Sequence, residues 1–157
     1  MNMKKMLTGL MIVPMLLLGA CSGKAEEPAK EPMPSEITSA IMAEITIPSA
    51  VEKGKEDVGA YYDIDVEQAE SISVFICGSG AYPDELAVFK MSSPEQAQVV
   101  KDIAQKRLDN QMELYKDYTP NEVYKLEEAQ VTVKGNYVML FVCENDARAL
   151  EIAESLF

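Results

Sequence analysis

The sequence predicts an α+β domain in which an N-terminal helix is followed by two ββα units. Ile37, Ile41 and Ile45 recur at every fourth residue, which places them on one face of a helix. Two pairs of β-rich segments follow, and each pair is succeeded by a segment with helical periodicity. This order of elements predicts a four-stranded mixed sheet with the helices packed on it.

The helices are predicted from residues that favour helix starts. Ser35 precedes the isoleucine face of the first helix. Ser93 is the expected N-cap of a long helix that runs to about Tyr115, since proline follows it and glutamine stands three positions later. Asn145 or Asp146 is expected to begin the last helix.

Four strands are predicted at residues 71–77, 85–91, 129–134 and 137–143, where β-branched and aromatic residues are enriched. The first and fourth strands carry apolar residues on both faces, which is typical of central strands, whereas the third alternates. A glycine–asparagine turn joins the third strand to the fourth. These patterns predict the strand order 2-1-4-3, with strands one and four parallel neighbours.

Cys77 and Cys143 end the first and fourth strands in the same phase. In the predicted order they are neighbours at one rim of the sheet, where an extracytoplasmic domain could join them by a disulfide. The alternative is that both are small, buried apolar side chains.

The N-terminus has the features of a secretory signal. Lys4 and Lys5 precede an apolar run, residues 6–18. At ~1.5 Å per residue this run spans about 20 Å, too short for a ~30 Å hydrocarbon core. The sequence Leu-Gly-Ala-Cys at residues 18–21 resembles the lipobox of bacterial lipoproteins. The resemblance implies that the Cys21 thiol receives diacylglycerol and becomes the N-terminus after cleavage.

We therefore predict a lipoprotein signal peptide over residues 1–20. Residues 21–34 comprise the lipidated cysteine and a flexible linker rich in Pro, Glu and Lys, and residues 35–157 form a single domain at the extracytoplasmic face of the cell membrane. An ordinary cleaved signal peptide with an unmodified Cys21 is the alternative. Removal of residues 1–20, which hold two lysines and no acid, changes the formal net charge from −12 to −14. So acidic a chain does not favour nucleic acid as a partner.

Few catalytic or metal-binding patterns are compatible with the composition. The chain contains no histidine, which excludes His-dependent triads and His-ligated zinc. Asp63, Asp65 and Glu67 begin like a calcium loop, but the glycine and the final glutamate of such a loop are missing. Asp84 and Glu85 are adjacent and point to opposite faces of a strand, which makes them a poor acid–base pair. We predict no catalytic residue, no metal and no cofactor.

The turn between the first two strands is the candidate binding loop. A non-catalytic module that binds an envelope protein or ligand is the favoured function, because loops on a rigid hairpin often carry recognition residues. The alternatives are a tight turn with its tyrosine packed inward, a carboxylate-dependent cell-envelope enzyme, and an acidic ion-binding or structural surface lipoprotein. The loop residues are Gly78, Gly80, Tyr82, Pro83, Asp84 and Glu85.

Residues 77–90 read CGSGAYPDELAVFK, residues 124–127 read YKLE, and residues 134–138 read KGNYV. Together they resemble a family of small lipoproteins from Gram-positive gut bacteria, domain of unknown function 4358. The resemblance covers roughly residues 37–157. It implies a membrane-tethered extracytoplasmic domain, and it supplies no catalytic or binding residues.

Overall fold

The computed structural model describes residues 30–157, so the predicted signal peptide, Cys21 and most of the predicted linker lie outside the described residues. The α+β class is confirmed. The helices are α1 (Pro34–Glu44), α2 (Lys55–Tyr62), α3 (Pro94–Tyr118), α4 (Val123–Glu128) and α5 (Asp146–Glu154). The strands are β1 (Ala50–Glu52), β2 (Ala69–Cys77), β3 (Glu85–Met91), β4 (Val131–Lys134) and β5 (Tyr137–Val142).

All neighbouring strands are antiparallel, in the order β1-β2-β3-β5-β4. The predicted four-stranded mixed sheet with order 2-1-4-3 is therefore wrong. β1 adds an edge strand, and β3 rather than β2 lies beside β5. Residues 86–89 of β3 are completely buried, whereas Phe75 and Ile76 of β2 are only half-buried. The strand that is buried on both faces takes the central position.

Helices cover both faces of the sheet, which gives three layers. One face packs against α2, α3 and α4, and the other packs against α1 and α5. The first core includes Val58, Phe89, Leu108, Leu126 and Leu140. The second core includes Ile37, Ile41, Leu86, Met139 and Ile152. Since successive strand residues point to opposite faces, β3 contributes to both cores.

The starts of α3 and α5 follow from local sequence. The Ser93 hydroxyl accepts a hydrogen bond from the Gln96 N–H at 3.3 Å, and Pro94 is the first residue of α3. The Asn145 side chain accepts a hydrogen bond from the Arg148 N–H at 3.0 Å. The N-cap predicted at Ser93 is confirmed, as is Asn145 of the pair Asn145 or Asp146, and each satisfies a backbone donor that a helix start leaves unpaired. The helix start predicted at Ser35 is wrong, because Pro34 is already the first residue of α1 and Met33 is its N-cap.

α3 is 25 residues long and extends about 37 Å along the sheet. Its buried residues Val100, Ala104 and Leu108 recur at helical spacing and face the sheet, while its other face is exposed. Within residues 30–157, no helix combines the length and the apolar character needed to cross a bilayer.

The sheet has two rims with different roles. We call the end where β2 finishes and β3 begins the loop rim, and the opposite end, where β3 finishes and β5 begins, the N-terminal rim. Residues 30–34 lie against the N-terminal rim. The Tyr137 hydroxyl donates a hydrogen bond to the Pro32 carbonyl at 2.9 Å, and Lys90 forms an ion pair with Glu31 at 2.9 Å. The chain therefore enters the domain at the rim opposite the candidate binding loop.

The central position of β3 predicts a large effect of truncating its aromatic residue. Phe89 is fully buried and packs edge-on against Tyr62 with ring centroids 5.0 Å apart. We expect Phe89→Ala to lower the free energy of unfolding by about 3–5 kcal/mol, because it leaves a cavity in the core. Val99→Ala, on the exposed side of α3, should change it by less than about 0.5 kcal/mol. Urea denaturation measures both, and equal effects would contradict the assignment of β3 as the central strand.

Candidate functional site

Two buried ion pairs lie at the loop rim. The first joins Asp84, before β3, to Lys125 on α4, with Nζ 3.0 Å from the carboxylate. Asp84 and Lys125 are only 2% and 5% exposed. Lys125 also lies 2.9 Å from Glu122 and 3.8 Å from Glu144. Burial alone lowers the pKa of Lys125, but the bonds to Glu122 and Asp84 outweigh it and raise that pKa above its usual value. The ammonium group is therefore held in its charged form.

The second ion pair joins Glu85, the first residue of β3, to Arg107 on α3. The guanidinium is bidentate, with Nη2 2.6 Å from one carboxylate oxygen and Nε 2.9 Å from the other. The Tyr62 hydroxyl donates a further hydrogen bond to the same carboxylate. Burial, followed by the Glu85 charge, raises the pKa of Tyr62 well above its usual value. This cluster ties α2 and α3 to the start of the central strand.

The candidate loop is fixed by bonds to α3 and by close contact with β1. The Tyr115 hydroxyl lies 3.0 Å from the Gly80 carbonyl and 2.8 Å from the Tyr82 carbonyl, within donating distance of both. Gly80 has a φ of +67°, which favours glycine. A Cβ on Gly78 would meet the Val51 side chain at 2.5 Å and the Ser49 carbonyl oxygen at 3.2 Å, so a larger residue there would displace the Val51 side chain. The loop is therefore held rigidly over the end of the sheet.

The structure divides the predicted loop residues into two groups. Pro83, Asp84 and Glu85 are buried, so the two acids belong to structural ion pairs and are not free recognition groups. Tyr82 is 41% exposed, so the alternative of an inward-packed tyrosine is not what the structure shows. The sequence alone gave no reason to include Arg107 or Lys125, which lie on helices far away in the chain.

Exposed tyrosines surround this end of the domain. We call Tyr61, Tyr82, Tyr118 and Tyr124 the tyrosine rim; they are between 37% and 63% exposed. Three of them contact residues that hold the loop rim together. Tyr118 packs edge-on against Tyr115, which bonds the loop, and the Lys125 ammonium lies 5.5 Å from the Tyr82 ring and 6.0 Å from the Tyr124 ring.

Two adjoining cavities open between α2, α3 and the loop, and we call them together the α2–α3 cleft. The first has a volume of about 340 Å³ and the second about 310 Å³. They share Tyr61, Arg107 and Gln111 as lining residues. Tyr82 lines the second cavity and the exposed Leu114 lines the first. The cleft is a concave surface lined by tyrosines and by several charged and amide side chains, and its cavities fall within the volume range of ligand pockets.

Cys77 and Cys143 are both buried and free, so the disulfide considered from the sequence is not formed. β3 lies between β2 and β5 and separates the two thiols. At ~4.8 Å per strand their Cα atoms are about 10 Å apart, beyond disulfide reach. Burial raises the pKa of the Cys143 thiol to about 11. Burial also acts to raise that of Cys77, but hydrogen bonds from Ser79 and from loop N–H groups outweigh it and lower that pKa.

The acidic segment after α2 has a structural explanation. Asp63 has a left-handed conformation, with a φ of +55°, and ends α2, and Asp65 accepts a hydrogen bond from the Glu67 N–H at 3.1 Å. These are turn and capping roles. Among the described residues, no group of three or more acidic or cysteine side chains is arranged to hold a metal ion.

A protein-family model described as "Domain of unknown function (DUF4358)" matches residues 44–143. The matched residues contain the sheet, both ion pairs, the loop and the α2–α3 cleft. No curated protein and no solved structure matches this chain.

The Asp84–Lys125 pair predicts a strong dependence of stability on the lysine. We expect Lys125→Met to lower the free energy of unfolding by about 3 kcal/mol, because it leaves the Asp84 carboxylate buried without its cation. The double variant Asp84→Asn with Lys125→Met should recover part of that loss, since the more deeply buried carboxylate is removed with its cation. Glu122 and Glu144, which also lose a partner, are more exposed. Thermal and urea unfolding measure both variants. A double variant that is less stable than Lys125→Met would contradict this role.

Proposed function

This chain belongs to the domain of unknown function 4358 family, and from that premise we propose that it is a lipid-anchored extracytoplasmic binding module whose ligand site is the α2–α3 cleft. The family assigns no activity, so the proposal depends on the geometry of the loop rim. In this proposal Cys21 carries the anchor, and the partner is an envelope protein or ligand.

The observation that carries the proposal is that exposed tyrosines flank a concave cleft built on a rigid frame. Tyr61 and Tyr82 line the cavities and are 46% and 41% exposed. Tyrosine provides a large contact area and a hydroxyl group while losing little side-chain freedom, and it is enriched in recognition surfaces. The ion pairs of Glu85 and Asp84 hold the loop and helices that position these rings. A preorganised site of this kind loses little entropy when a ligand binds.

The chemistry of the loop rim favours binding over catalysis. A general acid or base must be able to exchange a proton with a substrate. Asp84 is bonded to Lys125 on α4 and Glu85 to Arg107 on α3, so neither carboxylate is free to exchange a proton with a substrate. No observation at the loop rim favours the carboxylate-dependent enzyme or the ion-binding surface protein over a binding module.

The position of the entering chain supports the same proposal. Residues 30–34 lie at the N-terminal rim, and the five residue steps of β3 from Glu85 to Lys90 span about 17 Å. An anchor upstream of residue 30 would therefore attach to the domain at the N-terminal rim, at the opposite end from the cleft. A partner outside the membrane would then have access to the tyrosine rim.

Site-specific photo-cross-linking tests the binding site. We expect p-benzoylphenylalanine at position 82 to form a discrete adduct in intact cells, because Tyr82 lines the cleft and is accessible. The matched control is the same amino acid at position 99, where Val99 is 60% exposed on the N-terminal half of α3. Adding Tyr61→Ala should remove the position-82 adduct. Identical adducts at both positions, or none at position 82, would count against the cleft.

Mass spectrometry of the N-terminus tests the anchor separately. The mature protein should begin at Cys21 with a diacylglyceryl thioether, and Cys21→Ser should abolish that modification. Cys77→Ser is the control and should leave the modification unchanged, since Cys77 is buried in the folded domain. An unmodified N-terminal peptide from the unsubstituted protein would refute lipid anchoring.

A further inference from the structure

Resting on the proposed function of the cleft, we propose that its ligand is an acidic peptide segment whose carboxylates lie between Lys53 and Lys106. Both lysines line the cleft, one in each of its two cavities. The proposal follows from the charges, hydrogen-bonding groups and apolar surfaces that the cleft offers to a ligand.

The local charge of the cleft differs from that of the chain, whose formal net charge is −12. Glu85 and Asp84 line the cleft but are neutralised by Arg107 and Lys125. Within residues 30–157, Lys53 and Lys106 have no carboxylate within ion-pair distance. Among the residues that line the two cavities, Asp63 is then the one acid without a cation partner, and Lys53 and Lys106 are the two free ammonium groups. Two ammonium groups and one carboxylate are therefore available to a ligand in the cleft of an otherwise acidic chain.

The arrangement of cations around Tyr61 strengthens this electrostatic argument. The Lys53 ammonium lies 5.1 Å from the centre of the Tyr61 ring, and the Arg107 guanidinium carbon lies 5.2 Å from it. The Glu85 carboxylate neutralises Arg107, so Lys53 is the cation at this ring that has no carboxylate partner among the described residues. Since Arg107 is committed to Glu85, the lysines are the groups available to an incoming anion.

The remaining lining groups fit a peptide. Asn110 and Gln111 each present an amide that can donate to a peptide carbonyl and accept from a peptide N–H. Leu114 and Tyr61 offer exposed apolar surface for the side chains between the carboxylates. Phosphate is a weaker candidate, because it is commonly bound by arginine forks or by free backbone N–H groups. Here the guanidinium is occupied, and the loop N–H groups lie against the Cys77 sulfur.

Titration of the full chain in detergent with three matched peptides tests this inference. The probes are acetyl-(Gly-Glu)3-amide, its glutamine counterpart and its lysine counterpart, followed by backbone amide shifts in NMR spectra. We expect the glutamate peptide to perturb residues 53, 61 and 106–111 and to bind about fivefold more tightly than the glutamine peptide. Raising the ionic strength should weaken its binding, because these charges are accessible to solvent.

Variants then identify the lysines. Lys53→Ala with Lys106→Ala should reduce affinity for the glutamate peptide by about fivefold, since two partly exposed ion pairs are lost. Lys30→Ala with Lys134→Ala removes the same charge from the opposite rim and should leave affinity unchanged. Equal affinity for the glutamate and glutamine peptides would overturn the charge assignment and leave the cleft as a binding site. If inorganic phosphate displaces the glutamate peptide, the assignment of the ligand as a peptide is overturned. The cross-linking experiment at position 82 tests the proposed function of the cleft separately from this titration.

Discussion

The structure depends on the neutralisation of two adjacent carboxylates at the start of its most buried strand. Asp84 and Glu85 are each 2% exposed. A carboxylate removed from water is destabilising by several kcal/mol unless a cation and hydrogen bonds replace its hydration. Two helices supply those cations, Arg107 from α3 and Lys125 from α4. The positions of both helices relative to the sheet are therefore constrained by charge as well as by apolar packing.

This constraint also determines what the loop rim can present to a ligand. Because both acids are satisfied internally, they do not cancel the positive charge of Lys53 and Lys106 at the cleft surface. The same ion pairs immobilise the supports of Tyr61 and Tyr82, so those rings are exposed without being on a mobile element. The groups that stabilise the loop rim are therefore different from the groups that it exposes to a ligand. The buried charges hold the frame, and the tyrosines and lysines around it remain available.

Local features of this fold could be predicted from the sequence, whereas its long-range pairing could not. The caps at Ser93 and Asn145 and the turn at Gly135 depend on residues a few positions apart, and the structure has all three. Strand order depends on which apolar strand is buried most deeply. The pattern of apolar residues on both faces placed β2 rather than β3 at the centre of the predicted sheet. β1 has only three residues, all exposed, and so carries no hydrophobic signal. The disulfide considered between Cys77 and Cys143 depended on the same wrong strand order, since it required β2 and β5 to be neighbours.

The two helical layers divide the structural tasks. The residues that match the family, 44–143, include the whole sheet and α2, α3 and α4. They begin at the last residue of α1 and end before α5. That region alone would leave Leu86, Val88 and Met139 uncovered, because these residues face α1 and α5. The α1–α5 layer therefore completes the core beside the N-terminal rim, where the chain enters, and contributes none of the cleft. It follows that α1 and α5 support the cleft only through the packing of the sheet, whereas the ion pairs beneath the cleft contact the elements that line it.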